Sequence, residues 1–444
     1  MREKRIIAGL LAMSFVFGGA VLPCAAESNS IVVEPTAYMV AGNITYEELD
    51  DGTIEIRHVV YGTEEKDFVI PKEIDGKVVS RIGEFAFQSD SITSISIPDT
   101  VTSIGKYAFN DCRDLKEIVI PDSVTYIGIC AFGDCFSLEK VHLSENLKTL
   151  ENFVFQNCNS LKEINFPASV NSIGARTFSG CSFTEVNIPD NIISIDQSAF
   201  EHNELLKSVT LPDTLKYLSF YVFSYCTELE KVVLPKGMTD IPDGTFYHDK
   251  KLTNIILPDS VKTIGMNSFM YSGLTDIVLP EGVTSIESSA FACCEDLKDI
   301  TIPESVTKID GNIFIYQVKG EYKLINLPGL IIHCYSGSYA EEFALSYGYD
   351  YMVIGNYPEP TKIEYNTVTH QFRLTWSAVE GADKYGIAAF IAGKWRVQTY
   401  TDKTTFTSPK LKAGDTYKLL IAARVNGEWD LSDFNKIVFT VTVK

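Results

Sequence analysis

Basic side chains are scarce in this sequence relative to acidic ones. Lysine and arginine number 38 against 58 aspartate and glutamate residues, which gives a formal net charge of −20 at pH 7. Nucleic acids and anionic membrane surfaces both select for basic faces. We therefore expect no nucleic acid partner.

Long apolar runs are absent after the first 26 residues. The chain opens with the charged stretch "REKR", continues with the apolar run "IIAGLLAMSFVFGGAVL" and reaches small residues at Ala25 and Ala26. This order is typical of a secretory signal peptide, here residues 1–26, cleaved after Ala26. An uncleaved anchor is the alternative, but the run is shorter than the roughly 20 residues of a membrane span. A lipoprotein at Cys24 is another, for which Pro23 is a poor fit.

We accordingly expect an exported protein with no membrane insertion after cleavage. The C-terminal residues show neither a sorting motif nor an apolar tail, so we expect no covalent wall anchor.

What the sequence has in abundance is a repeat. A proline recurs every 23 residues in most cases and every 22 in two, and a phenylalanine follows eleven residues after it. The prolines are Pro71, Pro98, Pro121, Pro167, Pro189, Pro212, Pro235, Pro258, Pro280 and Pro303, with Ser144 in the one vacancy. A period of this length predicts a solenoid in which neighbouring units bury each other.

Each unit contains a short strand and a compact turn. The alternation before the proline, as in Ile118, Val119 and Ile120, predicts a strand that ends at the proline. Apolar residues three and six positions after the proline, such as Val124 and Ile127, are predicted to point inward. The following "GxxAFxxC" stretch is short enough for one helical or 3₁₀ turn.

These units resemble the BspA-type leucine-rich repeats, whose pattern is close to "LxxIxIPxxVTxIGxxAFxxCxx", over about residues 71–328. The resemblance implies a bacterial surface or secreted protein, and several such proteins attach to matrix proteins or cells. Residues 27–70 look like a linker and small β cap, and Ser338 to Tyr347 like a capping helix. The extra residues of "IYQVKGEYKLINLP" are predicted to form a loop.

After about Pro358 the period ends and seven alternating strands predict a β-sandwich. The positions of Trp376, Tyr385 and Tyr417 resemble a fibronectin type III module, which implies a core role for Trp376 and a backbone hydrogen bond for the hydroxyl of Tyr417. The fold class is thus an α/β leucine-rich-repeat solenoid of about eleven units followed by an all-β fibronectin type III-like sandwich. The expected boundaries are 1–26, 27–70, 71–356 and 357–444.

Most of the ten cysteines occupy one repeat position. They are Cys112, Cys135, Cys158, Cys181, Cys226 and Cys294, fourteen residues after the proline position. Side chains stacked in parallel do not face one another as a disulfide requires, and Asn203, Asp249 and Ser272 occupy the same column. We predict buried free thiols there, with Cys130 as a local substitution off the column.

Catalytic, metal and cofactor residues are not predicted. His202 and His248 share a repeat position two units apart, about 10 Å at strand spacing, which is too far for one metal ion. We expect surface or cap histidines. No G-x-S-x-G or phosphate-binding glycine loop is present, and rows of carboxylates arise in any acidic solenoid. An enzyme with an unrecognised site stays an alternative.

The outward strand positions form the candidate binding face. Its candidate ligand-binding residues are Val233, Ile256, Val278, Asp276, Asp299, Glu163 and Glu185. Consecutive outward apolar residues with a polar border are typical of a contact surface, although β-propensity alone also explains valine and isoleucine in strands.

We therefore predict a non-catalytic, monomeric, secreted or cell-surface binding or adhesion protein with an extracellular protein or cell-surface glycan as ligand. The alternative is an accessory glycan-binding or spacer component of extracellular polysaccharide utilisation.

Overall fold

The computed structural model describes residues 38–59, 66–317, 324–335, 337–353, 357–358, 360–379, 381–391, 393–425, 427–429 and 438–444. The predicted signal peptide, residues 1–26, lies outside the described residues. The chain divides into two compact units, Met1–Leu330 and Ile331–Lys444. The first contains the repeats, which form a β-solenoid of about twelve turns.

The first unit opens with three antiparallel strands, followed by two rows of short parallel strands. The opening strands are β1 (Met39–Ala41), β2 (Ile44–Glu48) and β3 (Ile54–Val59). The first row comprises β4 (Asp67–Val69), β7 (Ser94–Ser96), β9 (Glu117–Val119), β11 (Lys140–His142), β14 (Glu185–Asn187), β16 (Ser208–Thr210), β18 (Lys231–Val233), β21 (Asp276–Val278) and β23 (Asp299–Thr301).

The second row follows the prolines. It comprises β6 (Lys77–Ile82), β8 (Ser103–Ile104), β10 (Tyr126–Ile127), β12 (Thr149–Leu150), β13 (Ser172–Ile173), β15 (Ser194–Ile195), β17 (Tyr217–Leu218), β19 (Asp240–Ile241), β20 (Thr263–Ile264), β22 (Ser285–Ile286) and β24 (Lys308–Ile309). Strand β5 (Glu73–Ile74) pairs antiparallel with β6, and β3 pairs parallel with β6, so the opening strands continue this row.

The repeat phenylalanines form one continuous stack through the core. Eleven rings from Phe87 to Phe314 are fully buried, and neighbouring ring centroids lie between 4.8 Å and 6.2 Å apart. The inward positions three and six residues after the proline are buried as predicted, for example Val124 and Ile127. Each turn therefore completes its core only against its neighbours.

The predicted helical turns are not present in the repeats. Each stretch equivalent to "GxxAFxxC" before the last turn contains two left-handed residues, such as Tyr107 (φ 55°) and Asp111 (φ 62°). Every second amide in the stretch donates its hydrogen bond to the next turn of the solenoid. The Phe109 amide, for example, donates to the Ala131 carbonyl oxygen at 2.7 Å. A helix directs all its amides to its own carbonyls, so this cross-turn ladder excludes one. The solenoid is therefore nearly all sheet and turn.

The segment predicted as a loop contains a strand pair. Strands β25 (Ile315–Gln317) and β26 (Leu324–Asn326) are antiparallel, with Tyr316 opposite Ile325. Residues 318–323 between them lie outside the described part of the chain. The described residues on either side of the insertion thus form a strand pair rather than an irregular bulge.

The second unit begins with β27 (Ile331–Cys334), helix α1 (Tyr339–Tyr347) and β28 (Asp350–Val353), which pairs parallel with β27. The helix confirms the predicted segment: the Ser338 side chain accepts a hydrogen bond from the Glu341 amide as N-cap, and Gly348 ends it in a left-handed conformation. It is the single helix among the described residues.

Two antiparallel sheets follow, and they contain all seven predicted strands. They are β29 (Pro360–Asn366), β30 (Gln371–Trp376) and β33 (Thr405–Thr407) in one sheet, and β31 (Ala382–Ile391), β32 (Lys394–Thr401), β34 (Thr416–Val425), β35 (Glu428–Trp429) and β36 (Val438–Thr442) in the other. Side chains of both sheets share one core around Trp376 and Ile421. Among the described residues, the tyrosine hydroxyl that bonds the backbone is that of Tyr385, which accepts from the Val379 amide at 2.8 Å, rather than that of Tyr417.

Candidate functional site

The outward side chains of the first-row strands and of the two irregular segments between them form a surface that we call the strand face. In each strand the middle residue is the inward one: Ile277 is 3% exposed, while its neighbours Asp276 and Val278 are exposed. Side chains alternate between the two faces of a strand, and all seven predicted site residues lie on the exposed side.

The strand face is interrupted twice, where a continuous sheet was expected. Residues 163–165 lie between β11 and β14, and residues 254–256 lie between β18 and β21; neither segment forms a strand. We call these segments the first break and the second break. The first row is consequently divided into separate sheets at these two places.

Both breaks coincide with the two repeats that are one residue short. The missing residue falls between the cysteine position and the next first-row strand. Glu185 follows Cys181 by four positions, whereas Lys140 follows Cys135 by five. At the second short repeat the chain passes so close to its neighbour that a Cβ at Gly273 would lie 2.0 Å from the Lys250 carbonyl oxygen. A shorter connection moves the following strand relative to the preceding segment, and the ladder between them is lost.

The first break opens a cleft of about 330 Å³. Its lining brings together two of the predicted site residues, Glu163 and Glu185, with Asn165 and Asn187. The half-buried Phe166 also lines the cleft. The Asn187 amide group donates to the Glu185 carboxylate at 3.2 Å, which fixes one side of the opening. The cleft therefore combines hydrogen-bonding groups with an aromatic surface.

The other five predicted residues lie in the second break or on strands β18, β21 and β23 around it. Ile256 is 88% exposed within the break, flanked along the row by Val233 at 42% and Val278 at 68%. On the adjacent strands Asp276 and Asp299 are directly paired in register. The arrangement is an apolar patch with carboxylates along one border.

The cysteine column is structural, as predicted. Its thiols are free and buried, and each donates to the carbonyl oxygen of the phenylalanine in the preceding turn, for example Cys135 to Phe109 at 3.2 Å. Asn203 makes the same contact, from its side-chain nitrogen to the Phe178 oxygen at 2.8 Å. Burial raises the pKa of the Cys135 thiol, which disfavours the reactive thiolate.

The two histidines that share a repeat position belong to a ring stack. His202, Tyr225, His248 and Tyr271 lie in consecutive turns, with centroids 4.4 Å, 4.8 Å and 4.6 Å apart. Burial, with smaller contributions from the charges of Lys250 and His202, lowers the pKa of His248 to about 4. The pKa of His202 is also lowered, mainly by burial. These side chains are half-buried and neutral at pH 7, not free surface groups.

Within the described residues no cluster of three or more histidine, cysteine or acidic side chains could hold a metal ion. That same part of the chain contains no helix of sufficient length and apolar character to cross a bilayer. The sequence interpretation missed Asn165, Asn187 and Phe166 as cleft residues. The two 22-residue steps were the available signal, because a change in repeat length marks a change in packing.

Comparisons with known proteins identify the repeats. The family model described as "BspA type Leucine rich repeat region" matches residues 80–207 and 194–319, more than half of the chain. No curated protein matches the sequence.

Three solved structures are similar. A leucine-rich repeat protein from Bacteroides ovatus is 25% identical, covering 71% of this chain and 99% of that one, with a TM-score of 0.45. A leucine-rich cell surface protein from Faecalibacterium prausnitzii is 26% identical over 70% and 97%, with a TM-score of 0.43. A leucine-rich repeat protein from T. pallidum is 27% identical over 46% and 84%, with a TM-score of 0.34.

The match of the repeat model over more than half of the chain, across the region that holds the phenylalanine stack and the cysteine column, identifies the chain as a member of the BspA-type leucine-rich repeat family.

Proposed function

We propose that this chain is a non-catalytic bacterial binding protein, secreted or held at the cell surface, whose strand face adheres to an extracellular protein. The family suggests a protein-binding role, since BspA-type repeats usually occur in surface or secreted proteins. The observation that carries the proposal is the apolar patch at the second break. Exposed branched side chains beside carboxylates provide an apolar centre and a polar border, which is the composition of a protein contact surface.

The test replaces the centre of the patch. Ile256→Ser combined with Val278→Ser removes most of the exposed apolar area, while the buried neighbours Ile255 and Ile277 stay in place. Binding is measured by retention of the full chain on immobilised fibronectin, laminin and collagen and on intact bacterial cells. We expect at least one surface to retain the parent chain and to release the double variant, with an affinity loss of about tenfold or more.

Val119→Ser is the matched control. Val119 occupies the same row of the strand face and is 55% exposed, but it lies between strands that present Ser96 and His142. Its replacement should leave retention unchanged. If the double variant and the control bind like the parent chain, the second break is not the contact surface.

A second candidate function is glycan binding as an accessory component of polysaccharide utilisation. The cleft at the first break favours it, because carboxylates, carboxamides and an aromatic ring are the groups that recognise sugar hydroxyls and pyranose faces. Glu163→Gln with Glu185→Gln keeps the size of these side chains and removes their charge. Loss of glycan-array binding in this variant, with matrix-protein retention intact, would support the glycan function over the protein one.

Secretion and the fibronectin type III assignment of residues 357–444 belong to the same proposal. Fractionation of a native culture into medium, envelope and cytoplasm tests the first, with recovery in the cytoplasm as the contrary result. The core shared by the two sheets of the C-terminal unit supports the second, and a solved structure of residues 357–444 would decide its strand connectivity.

A further inference from the structure

The larger sheet of the C-terminal unit has a second apolar face, turned away from the core. Ala388, Leu420 and Ala422 form a cluster of their own, separate from the core around Trp376. Strand alternation accounts for this, because Tyr385 and Ile387 of β31 point to the core while Gly386 and Ala388 point to the opposite side.

Aromatic side chains cover this outer face and stay partly exposed. We call the group of Phe390, Trp395, Val397, Tyr400 and Trp429 the ring platform. Tyr400 is 55%, Val397 54% and Phe390 43% exposed. Tyr400 and Trp429 lie with centroids 5.2 Å apart and ring planes 33° apart, and Phe390 contacts Trp395 at 5.3 Å.

The backbone beneath the platform is shaped for flat rings. A Cβ at Gly386 would lie 3.1 Å from Trp429 and 3.4 Å from Tyr400, so glycine lets both rings approach the strand closely. Farther along, the small residues Ala388 and Ala422 keep the surface level. Large apolar groups left half-exposed on a level sheet mark an interaction surface rather than a core.

Cations flank the platform at both ends. Lys384 and Arg424 are paired in register beside Trp429, and Lys418 lies about 20 Å away along β34 at strand spacing. Asp383 holds Arg424 through two hydrogen bonds of 2.9 Å and 2.6 Å, and Glu428 lies at the same end. Neither Lys384 nor Lys418 forms an ion pair within the described part of the chain.

The charge of the C-terminal residues differs in sign from that of the rest. Residues 357–444 contain 12 lysine and arginine against 9 acidic residues, a formal +3, whereas residues 1–356 contain 26 against 49, a formal −23. The ring platform therefore lies in a basic part of an acidic protein, and its complement in charge is an anion.

We propose that the ring platform binds an anionic polysaccharide. Tyr400 and Trp429 provide ring surfaces for the C–H faces of pyranose units, and Lys384 and Lys418 pair with carboxylates along the polymer. The spacing of the cations requires an extended ligand that spans several sugar units. This site is independent of the strand face and of the function proposed for it.

Affinity electrophoresis of the full chain tests the proposal. The gels contain polygalacturonate, hyaluronate, or highly methyl-esterified pectin, which keeps the galacturonate backbone and lacks most of the charge. We expect retardation by at least one of the two anionic polymers, weakened by added salt, and little retardation by the esterified pectin. Equal retardation by polygalacturonate and its ester, or none by either anionic polymer, would overturn the proposal.

Variants assign the effect to the platform. Tyr400→Ala should weaken binding about tenfold, and Lys384→Glu with Lys418→Glu should abolish the difference between the charged and esterified polymers. The matched controls are Val368→Ala, an 88% exposed residue in the turn between β29 and β30, and Lys410→Glu. Unchanged retardation of the platform variants would refute the site. Ile256→Ser should leave retardation intact, which separates this test from that of the strand face.

Discussion

Asp249 provides a sharp test of how the buried column stabilises the solenoid. It occupies the position of the cysteines, fully buried, where the cysteines and Asn203 donate to a phenylalanine carbonyl oxygen. One carboxyl oxygen accepts from the Cys226 amide at 2.9 Å. The other has no hydrogen-bond partner among the described residues. An ionised carboxylate cannot donate a hydrogen bond, so Asp249 can act as the cysteines do only when its carboxyl group is protonated.

Burial raises the pKa of Asp249 well above its ordinary value, and the hydrogen bond from Cys226 offsets only part of the effect. Below about pH 4 the folded and unfolded states both hold the proton, so the group imposes no penalty. As the pH rises, the unfolded state releases its proton and the folded state retains it. Asp249 therefore destabilises the fold increasingly from about pH 4 upward, until the pH passes its folded pKa.

Asp249→Asn supplies the missing donor without titrating. Asn203 shows the geometry that the new amide can adopt, with hydrogen bonds of 2.8 Å to the Phe178 and Phe200 carbonyl oxygens. Removing one unsatisfied buried group and gaining one hydrogen bond corresponds to about 1–3 kcal/mol. We expect the variant to be more stable by that amount at pH 7 and by much less at pH 4.

Urea denaturation followed by far-ultraviolet circular dichroism measures the change in the full chain. All three tryptophans lie in the C-terminal unit, so tryptophan fluorescence follows that unit separately and serves as an internal control. The reciprocal variant Asn203→Asp should lose about 1–3 kcal/mol at pH 7. A less stable Asp249→Asn, or an advantage independent of pH, would show that the native carboxylate is ionised and that the reasoning is wrong.

Three further predictions concern the same core. Protonation of the neutral stacked His202 and His248 should lower stability by about 2 kcal/mol between pH 6.5 and pH 4, allowing for solvent screening of half-buried rings. Because Asp249 contributes with the opposite sign over the same range, the effect is measured as a difference: His248→Phe, which keeps the ring, should gain stability relative to the parent chain in urea titrations as the pH falls. Phe246→Ala should cost about 3–5 kcal/mol by opening a gap in the ring stack, measured in the same way. Gly273→Ala should cost about 1–3 kcal/mol, because the Lys250 carbonyl group must move; an unchanged midpoint would mean that the short connection is free to shift.

Much of the fold was predictable because the repeat multiplies a weak signal. A single "IxIP" stretch is an ordinary short strand, but its recurrence at one period determines which side chains point inward, and Ile127 and Val124 are buried accordingly. The capping helix was predictable for a local reason, since Ser338 is an N-cap residue and Gly348 a C-terminal one.

The breaks in the strand face depend on packing between turns and were not predictable in the same way. The short connections before Glu185 and Asp276 are visible in the sequence, but their effect on the preceding segments depends on where the neighbouring carbonyl groups lie. The cleft that Glu163 and Glu185 line together lies at the first of those breaks. The pattern of outward residues therefore predicted which side chains lie on the strand face, but not that two breaks interrupt this face.

The ring platform was missed for a different reason. Alternation in β31 and β34 reveals two faces, and the sequence interpretation assigned a core role to Trp376 and no role to the opposite face. Trp429 belongs to a two-residue strand, too short to give a period. Its position over Gly386 is a contact between strands that are distant in sequence.

The turns show why this solenoid depends on neighbours as much as on its own sequence. A left-handed conformation costs a residue with a side chain about 1–2 kcal/mol. Yet every turn up to that of Ser289 and Cys293 contains two left-handed residues, and glycine is one of the pair only at Gly180 and Gly244. In these turns amides of the left-handed residues donate to carbonyl oxygens of the next turn, as the Cys293 amide does to the Ile315 carbonyl oxygen at 2.8 Å. Asn312, the equivalent of Ser289 in the last turn, has no positive φ. The strain thus persists where a following turn accepts the amides, and each turn is stabilised by the one stacked upon it.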